Sequence, residues 1–382
     1  MRPLVVLGAT GSIGRQTLEV AERLGLEIAG LGANLATPAF GALMRRHPEA
    51  RAVLADVDGA GRREGGESLP GVEFGSEALV ALAAMPGCIV VNGIVGAAGL
   101  EATLAALGAG NRLALANKES MVTAGELVAA AKTASGAELI PVDSEHSALF
   151  QCLAGEHSDD VARLVLTASG GPFRGRDRSQ LSDVGPDEAL RHPTWNMGGR
   201  ITIDSATLVN KGLEVIEAHH MFGLDFDRIA VVVHPQSIMH SAVEFVDGAL
   251  KAHIGYPDMR IPIQYALTYP RRRPGPGGQF ELAAQDLVFE PVDRTAFPAL
   301  DLAYEAGRLG GSAPAIYNAA DEVAVAAFLE GRLGFLAIAE VLASALERVS
   351  PQPISGLADV WEVDAEARRV AGELVDRMGL RE

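Results

Sequence analysis

Over roughly the first 140 residues, short unbroken apolar runs alternate with segments of helical spacing. Leu4-Val5-Val6-Leu7 is continuously apolar, as a strand buried on both faces requires. Ile13–Leu24 carries a helical period, Glu27–Leu31 reads as the next strand, and Cys88–Asn92 and Leu113–Ala116 read as later strands, each followed by helix-compatible sequence. Leu139–Val142 is a further strand that leads into Asp143. Such a βαβ series predicts a parallel sheet with helices on both faces. The texture then changes. Leu164–Thr167, Ile201–Ile203, Ile229–His234 and Ser241–Val246 read as strands, Ala168–Phe173 as a glycine turn, and the chain after Asp293 is mostly helical and rich in Ala, Leu and Glu. The expected fold class is α/β: an N-terminal Rossmann-like parallel sheet, a central α+β domain and a C-terminal helical domain. The expected boundaries are 1–142, 143–270, a Pro/Gly-rich linker at 271–292, and 293–382.

Composition narrows the picture. A chain of 382 residues exceeds one ordinary core, and 48% hydrophobic residues exclude a disordered class. A net charge of -17 argues against nucleic acid as a main partner. Arg271-Arg272-Arg273 is the one dense basic run, and it reads as a solvated loop. Cys88 and Cys152 lack metal-ligand spacing and fit a reducing cytosol. No apolar run reaches the length of a membrane span, and with the first strand starting near Met1 no signal peptide is expected. The expectation is a cytoplasmic protein with a small-molecule substrate.

Gly8-Ala9-Thr10-Gly11-Ser12-Ile13-Gly14 follows the first strand and opens a helix. Glycines there let backbone approach a pyrophosphate, and the helix N-terminus offers amides and partial positive charge. A plain glycine-bearing βα turn is the bland alternative. At the end of the second strand, Gly32-Ala33-Asn34 stands where an acidic residue would bind a free ribose 2′-hydroxyl, which tilts the expectation from NAD toward NADP. Arg45 and Arg46 offer charge to a 2′-phosphate, although a solvated helix face accounts for them equally well.

Two acidic segments carry the remaining chemistry. If Asp143-Ser144-Glu145 is still extended, both carboxylates share a face, with Ser144 opposite, and oxygen-only ligands suit Mg2+ or Mn2+. In Asn210-Lys211-Gly212-Leu213-Glu214, helical spacing places Glu214 one turn from Asn210 and Lys211; the bland account is a surface Lys211–Glu214 pair. With Ile201–Ile203 as a strand and Asp204-Ser205 capping the next helix, Ser205, Asn210 and Lys211 would form a phosphate clamp. Ser169-Gly170-Gly171 offers a second anion loop, or merely a turn. His192–Gly199 has the composition of a lid with Gly198-Gly199 as hinge, or of a loop anchored by buried Trp195. Lys118, in Asn117-Lys118-Glu119-Ser120, reaches substrate or cofactor, or is a solvated residue beside a helix cap.

Taken in order, GATGSIG (8–14), GIVGAAGL (93–100), ANKES (116–120), PVDSEHSA (141–148), ASGGPF (168–173), HPTWNMG (192–198), DSATLVNKGLE (204–214) and HPQSIMHS (234–241) resemble the 1-deoxy-D-xylulose 5-phosphate reductoisomerase family. The resemblance covers nearly the whole chain. It implies an NADP-dependent oxidoreductase of the non-mevalonate isoprenoid pathway that also needs Mg2+ or Mn2+. It implies that Thr10, Gly11, Ser12, Ile13, Gly32, Ala33, Asn34, Asn117, Glu119 and Gly198 line an NADPH site in residues 1–142 and the flap. Asp143, Glu145 and Glu214 would bind metal and, with Lys118, serve catalysis. Lys118, Ser144, Glu145, His192, Trp195 and Glu214 would contact the sugar, and Ser169, Ser205, Asn210 and Lys211 its phosphate. His240 would support the site. Residues 143–270 would be the catalytic and dimerisation domain, with its flap near 190–200, of a homodimer. Some members carry Lys where this chain has Ala33. From the residues alone, two other readings stay open: an NADP-linked dehydrogenase whose acidic clusters are structural, and a non-catalytic redox sensor.

Overall fold

The structure, a computed structural model, describes residues 2–56, 71–195 and 197–379. Asn196 of the flap motif and positions 380–382 of the expected C-terminal domain lie outside the described residues. The strands are β1 (Leu4–Leu7), β2 (Ile28–Ala33), β3 (Arg51–Leu54), β4 (Val72–Phe74), β5 (Ile89–Asn92), β6 (Arg112–Leu115), β7 (Leu139–Pro141), β8 (Val161–Ala168), β9 (Ile229–Val233), β10 (Met239–Phe245) and β11 (Leu250–Ile254). The α-helices are α1 (Ser12–Leu24), α2 (Pro38–Arg46), α3 (Ser76–Ala83), α4 (Leu100–Gly108), α5 (Lys118–Ser135), α6 (Ser144–Cys152), α7 (Pro186–Ala189), α8 (Gly199–Thr207), α9 (Val209–Phe222), α10 (Arg260–Thr268), α11 (Ala299–Leu309), α12 (Ala313–Leu329), α13 (Phe335–Arg348) and α14 (Leu357–Gly379).

Backbone packing divides the described chain into two units. The first draws on Met1–Ser120, Glu126–Ser147 and Asp258–Gly278, the second on Met121–Gly125, Ala148–Pro257 and Gln279–Glu382. This grouping differs from the sequence boundaries at 142, 270 and 292. Residues 258–278 pack in the first unit because α10 lies on α1: Arg260 pairs with Asp258 at 2.7 Å and Glu19 at 2.6 Å, and Arg23 bonds Gln264.

The first unit holds a seven-stranded parallel sheet in the order β4-β3-β2-β1-β5-β6-β7. Leu4, Val5, Val6 and Leu7 are fully buried, as the unbroken apolar run required. Gly25, at φ 63°, ends α1 with a left-handed cap. Thr37 caps α2 by accepting the Phe40 amide at 3.2 Å. The chain steps outward from β1 through β2 and β3 to β4, then crosses back to place β5 on the other side of β1, which makes the β1–β5 boundary the switch point where doubly wound sheets bind ligands.

The second unit holds a sheet in the order β11-β10-β8-β9, with β8 and β9 parallel and β10 antiparallel to both neighbours. The C-terminal helices pack in this same unit. Tyr304 donates to the Ile229 carbonyl at 2.7 Å, and Phe173 meets Phe335 edge-on at 5.0 Å. Each such fully buried large side chain contributes about 1.5–3 kcal/mol.

One element is corrected outright. Ile201-Thr202-Ile203 is the first half of α8, not a strand. β-branched residues suggested extension, but Thr202, Ile203 and Ala206 are buried on one helical face, and Arg200 and Asp204 pair at i, i+4. Asp204 and Ser205 therefore lie inside a helix rather than capping one. Among the described residues no helix is long and apolar enough to cross a membrane.

Candidate active site

The first unit gathers its site residues along the carboxyl ends of parallel strands. Leu7 is in register with Gly32 on one side and Asn92 on the other, and Leu115 with Pro141. Thr10–Ile13, Asn34, the Gly93–Gly96 loop, Asn117–Glu119 and Asp143–Glu145 thus all leave one edge of one sheet. The glycine loop is close-packed: Gly8 has φ +76°, and a Cβ there would lie 2.5 Å from the Gly93 carbonyl oxygen. A Cβ on Gly14 would lie 2.3 Å from the Gly8 carbonyl oxygen, so α1 starts hard against the turn. Gly11 caps α1 without a side-chain bond, which leaves first-turn amides for an anion.

Asn117 and Glu119 are buried and shape this edge. Asn117 Oδ1 accepts the Ser120 amide at 3.1 Å as the cap of α5, while its Nδ2 donates to the carbonyls of Ile94 and Gly96, both at 2.8 Å. Glu119 accepts the Gly96 amide at 3.0 Å. Together they hold the loop beside the switch point. Asn34 is exposed next to buried Ala33, and Arg46 of α2 pairs with Glu22.

Lys118 and Asp143 form a largely buried ion pair, Nζ to Oδ2 2.6 Å. The extended reading of Asp143–Glu145 is corrected: α6 begins at Ser144, because the Asp143 carbonyl accepts the Ser147 amide at 2.8 Å. Ser144 and Glu145 are first-turn helical neighbours, and the Ser144 hydroxyl bonds the Glu145 carboxylate, so Ser144 does not point opposite.

The second unit carries the other residues. The turn after β8 sets Gly170 at φ +84° and Gly171 at +66°; a Cβ on Gly171 would lie 2.8 Å from the Ser205 carbonyl oxygen of α8. His192 Nδ1 accepts the amides of Thr194 at 3.1 Å and Trp195 at 2.9 Å. That nitrogen is therefore unprotonated, and Nε2–H donates to Ser169 Oγ at 3.0 Å. Burial lowers the His192 pKa, in keeping with the neutral ring. Ser169 Oγ also accepts the Gly171 amide at 3.2 Å, which leaves its own proton for an anion.

Leu208 stands at φ 62° between α8 and α9, a left-handed conformation that only a constrained junction keeps for Leu. It lets α9 start afresh with Asn210 and Lys211 in its first turn. Asn210 Nδ2 donates to Glu214 Oε1 at 2.5 Å, and Lys211 pairs with the other carboxylate oxygen. The bland surface pair is corrected: Lys211 and Glu214 are both buried, with Glu214 at 1% exposure. A buried pair is held by its geometry, and losing one partner costs about 3–5 kcal/mol. Gly198 caps α8 and is exposed. His240 lies on β10, with its pKa pushed down to about 4 by burial and by His253.

Sequence reasoning missed Arg200. Its Nη1 lies 2.9 Å from Glu322, and its Nη2 lies 3.3 Å from Asp321 and from Asn318. The i, i+4 Arg200–Asp204 spacing was a signal, but only for a reader who took residues 199–207 as a helix.

A doubly wound sheet with glycine loops at its switch point, and carboxylates and a lysine on the same edge, defines a dinucleotide-binding α/β protein equipped for more than hydride transfer. Three family models match the chain: 1-deoxy-D-xylulose 5-phosphate reductoisomerase over residues 4–125, its C-terminal domain over 139–222, and the DXP reductoisomerase C-terminal domain over 254–370. A 1-deoxy-D-xylulose 5-phosphate reductoisomerase from Xanthomonas campestris is 51% identical over 97% of this chain and 96% of its own. One from Pelotomaculum thermopropionicum is 48% identical over 98% and 99%. The solved reductoisomerase from Zymomonas mobilis in complex with NADPH superposes with TM-score 0.90 at 42% identity, covering 98% of this chain and 99% of that one. A DOX-P reductoisomerase in complex with NADPH, fosmidomycin and magnesium gives TM-score 0.89 at 36% identity, covering 98% of each. The chain belongs to the 1-deoxy-D-xylulose 5-phosphate reductoisomerase family.

Proposed function

We propose that this protein converts 1-deoxy-D-xylulose 5-phosphate to 2-C-methyl-D-erythritol 4-phosphate by rearrangement and reduction, using NADPH and Mg2+ or Mn2+. The observation that carries this reading is that the glycine loop and the Lys118–Asp143 pair leave the same sheet edge. NADPH supplies the hydride that reduces the rearranged aldehyde, and a divalent ion supplies Lewis acidity toward adjacent substrate oxygens.

The residues present fit both groups. Asp143, Glu145 and Glu214 offer the all-oxygen donor set that a hard cation takes. In this proposal they hold one ion, and the cations and amide that now neutralise them turn to substrate: Lys118 orients a hydroxyl or moves its proton, while Asn210 and Lys211 meet the phosphate. Ser169 and Ser205 complete the phosphate site. The neutral His192 ring holds Ser169 and contacts the sugar with Ser144, Glu145 and Trp195. Binding the remote phosphate orders the 192–199 loop and keeps water from the reacting carbons. Thr10, Gly11, Ser12 and Ile13 receive the pyrophosphate, and Gly32, Ala33 and Asn34 the adenosine ribose. Asn117, Glu119 and Gly198 complete the cofactor site, the first two through the loop they brace. A cytoplasmic location and a homodimer belong to the same reading; edge strand β11, with Leu250 57% exposed, leaves a sheet edge open to a second copy.

The test is NADPH oxidation followed at 340 nm with purified 1-deoxy-D-xylulose 5-phosphate. Turnover is expected with Mg2+ or Mn2+ and should vanish in chelator-treated buffer. Undiminished turnover without metal would leave an ordinary dehydrogenase.

A further inference from the structure

Arg200 sits in the first turn of α8, where a cation opposes the helix dipole. Its bond within the helix is weak: Asp204 is 3.7 Å away, and arginine preceding an acidic residue is the less favourable order. Its close partners lie on α12. Glu322 stands at 2.9 Å, and Asp321 and Asn318 at 3.3 Å. Asp321 and Asn318 are fully buried, and the Arg200 side chain is only 19% exposed. Glu322 is held in turn by Arg368 of α14 at 2.6 Å, and Arg368 by Asp364 at 2.6 Å. The guanidinium therefore fastens the start of α8 to the centre of the helical layer. Immediately before it runs the 192–199 loop, whose entry is fixed by the His192 ring; five residues after it comes Ser205.

We propose that Arg200 is a positioning residue that anchors the exit of the 192–199 loop. By setting where α8 begins, it places Ser205 for the phosphate and sets the frame on which the loop closes. It touches neither substrate nor cofactor and acts through α8. The planar fork is what matters: its two separated Nη groups reach Glu322 on one side and Asn318 and Asp321 on the other, whereas the three N–H donors of Lys all sit on one nitrogen. This proposal rests on the reaction and on the roles given above to Ser205 and the loop.

The experiment compares wild type, Arg200→Lys and Arg368→Gln. Arg368→Gln also strips Glu322 of a partner but leaves α8 anchored. Three quantities are read: thermal midpoint, Michaelis constants for 1-deoxy-D-xylulose 5-phosphate and for NADPH in Mg2+ buffer, and the rate of trypsin cleavage after exposed Arg191, at the loop entry. Arg200→Lys should raise the phosphosugar constant about 10-fold or more and leave the NADPH constant within twofold. It should also speed cleavage after Arg191. Arg368→Gln should lower the thermal midpoint without either change. The proposal is overturned if Arg200→Lys shifts only the thermal midpoint, as Arg368→Gln does, with substrate constant and cleavage rate unaltered. If wild type failed to turn over the phosphosugar, the reaction assignment would fall, and the cleavage comparison would still decide whether Arg200 anchors the loop.

Discussion

The two halves of the proposed site are built differently. Along the edge of the parallel sheet, position comes from backbone: strand register, a glycine turn that admits no Cβ at Gly8 or Gly14, and amides braced by Asn117 and Glu119. On α8, α9 and the two loops that carry Ser169 and His192, position comes from side chains locked in pairs: Lys211 with Glu214, Ser169 with His192, Arg200 with Glu322. A backbone-built site suits a large cofactor that is met by amides and released each cycle. A pair-built site suits a small charged substrate, because each paired group can exchange its partner for an incoming ion of the same sign, so that every charge brought into the interior meets an opposite charge already held there.

This contrast can be broken in order of expected effect. Glu214→Gln removes charge from the pair-built half alone. We expect kcat to fall at least about 100-fold with NADPH affinity within twofold, read by steady-state kinetics and cofactor fluorescence titration. Equal losses of both would erase the distinction. Gly14→Ala acts on the backbone-built half. The added methyl meets the Gly8 carbonyl, so NADPH affinity should drop about 10-fold or more while the phosphosugar constant stays nearly fixed.

The His192 pair gives a pH signature. Burial lowers its pKa below 6.5, so the folded ring favours the neutral form. Its contribution to stability is fully present above about pH 6.5 and is lost as pH falls below that toward the folded value. Protonation also takes the acceptor from the Thr194 and Trp195 amides. The thermal midpoint of wild type should therefore approach that of His192→Gln as pH falls from 7 toward 5; a constant gap would contradict a ring held neutral in the fold. The smallest effect is expected from Thr37→Ala, which removes the cap of α2 and should cost about 1 kcal/mol of stability, seen in denaturant melts, with kcat unchanged.

What the sequence made legible follows the same divide. Leu4–Leu7 and Ile89–Asn92 announced themselves as buried strands because both faces are covered, and Gly8–Gly14 announced the turn between strand and helix. α8 did not. Ile201-Thr202-Ile203 is β-like in isolation, and what makes it helical is contact with α12 more than 100 residues later. Asp143–Glu145 was misjudged because an Asp followed by an acidic first turn marks a helix start as readily as a polar strand end, and only the fold decides between them. The return of residues 258–278 to the first unit was equally hidden, since Arg260 finds Glu19 across 241 positions. Motif resemblance supplied the residues of the pair-built half, while their burial and tautomers follow from packing between elements distant in sequence.

Metal binding by the carboxylates tests the central claim most directly. Mn2+ titrations followed by electron paramagnetic resonance should be run on wild type, Asp143→Asn, Glu214→Gln and the double variant. One ion shared by these side chains predicts that each single change abolishes most of the tight binding and that the double variant loses little more than either. Wild-type Mn2+ affinity in Glu214→Gln, or losses that simply add, would contradict it.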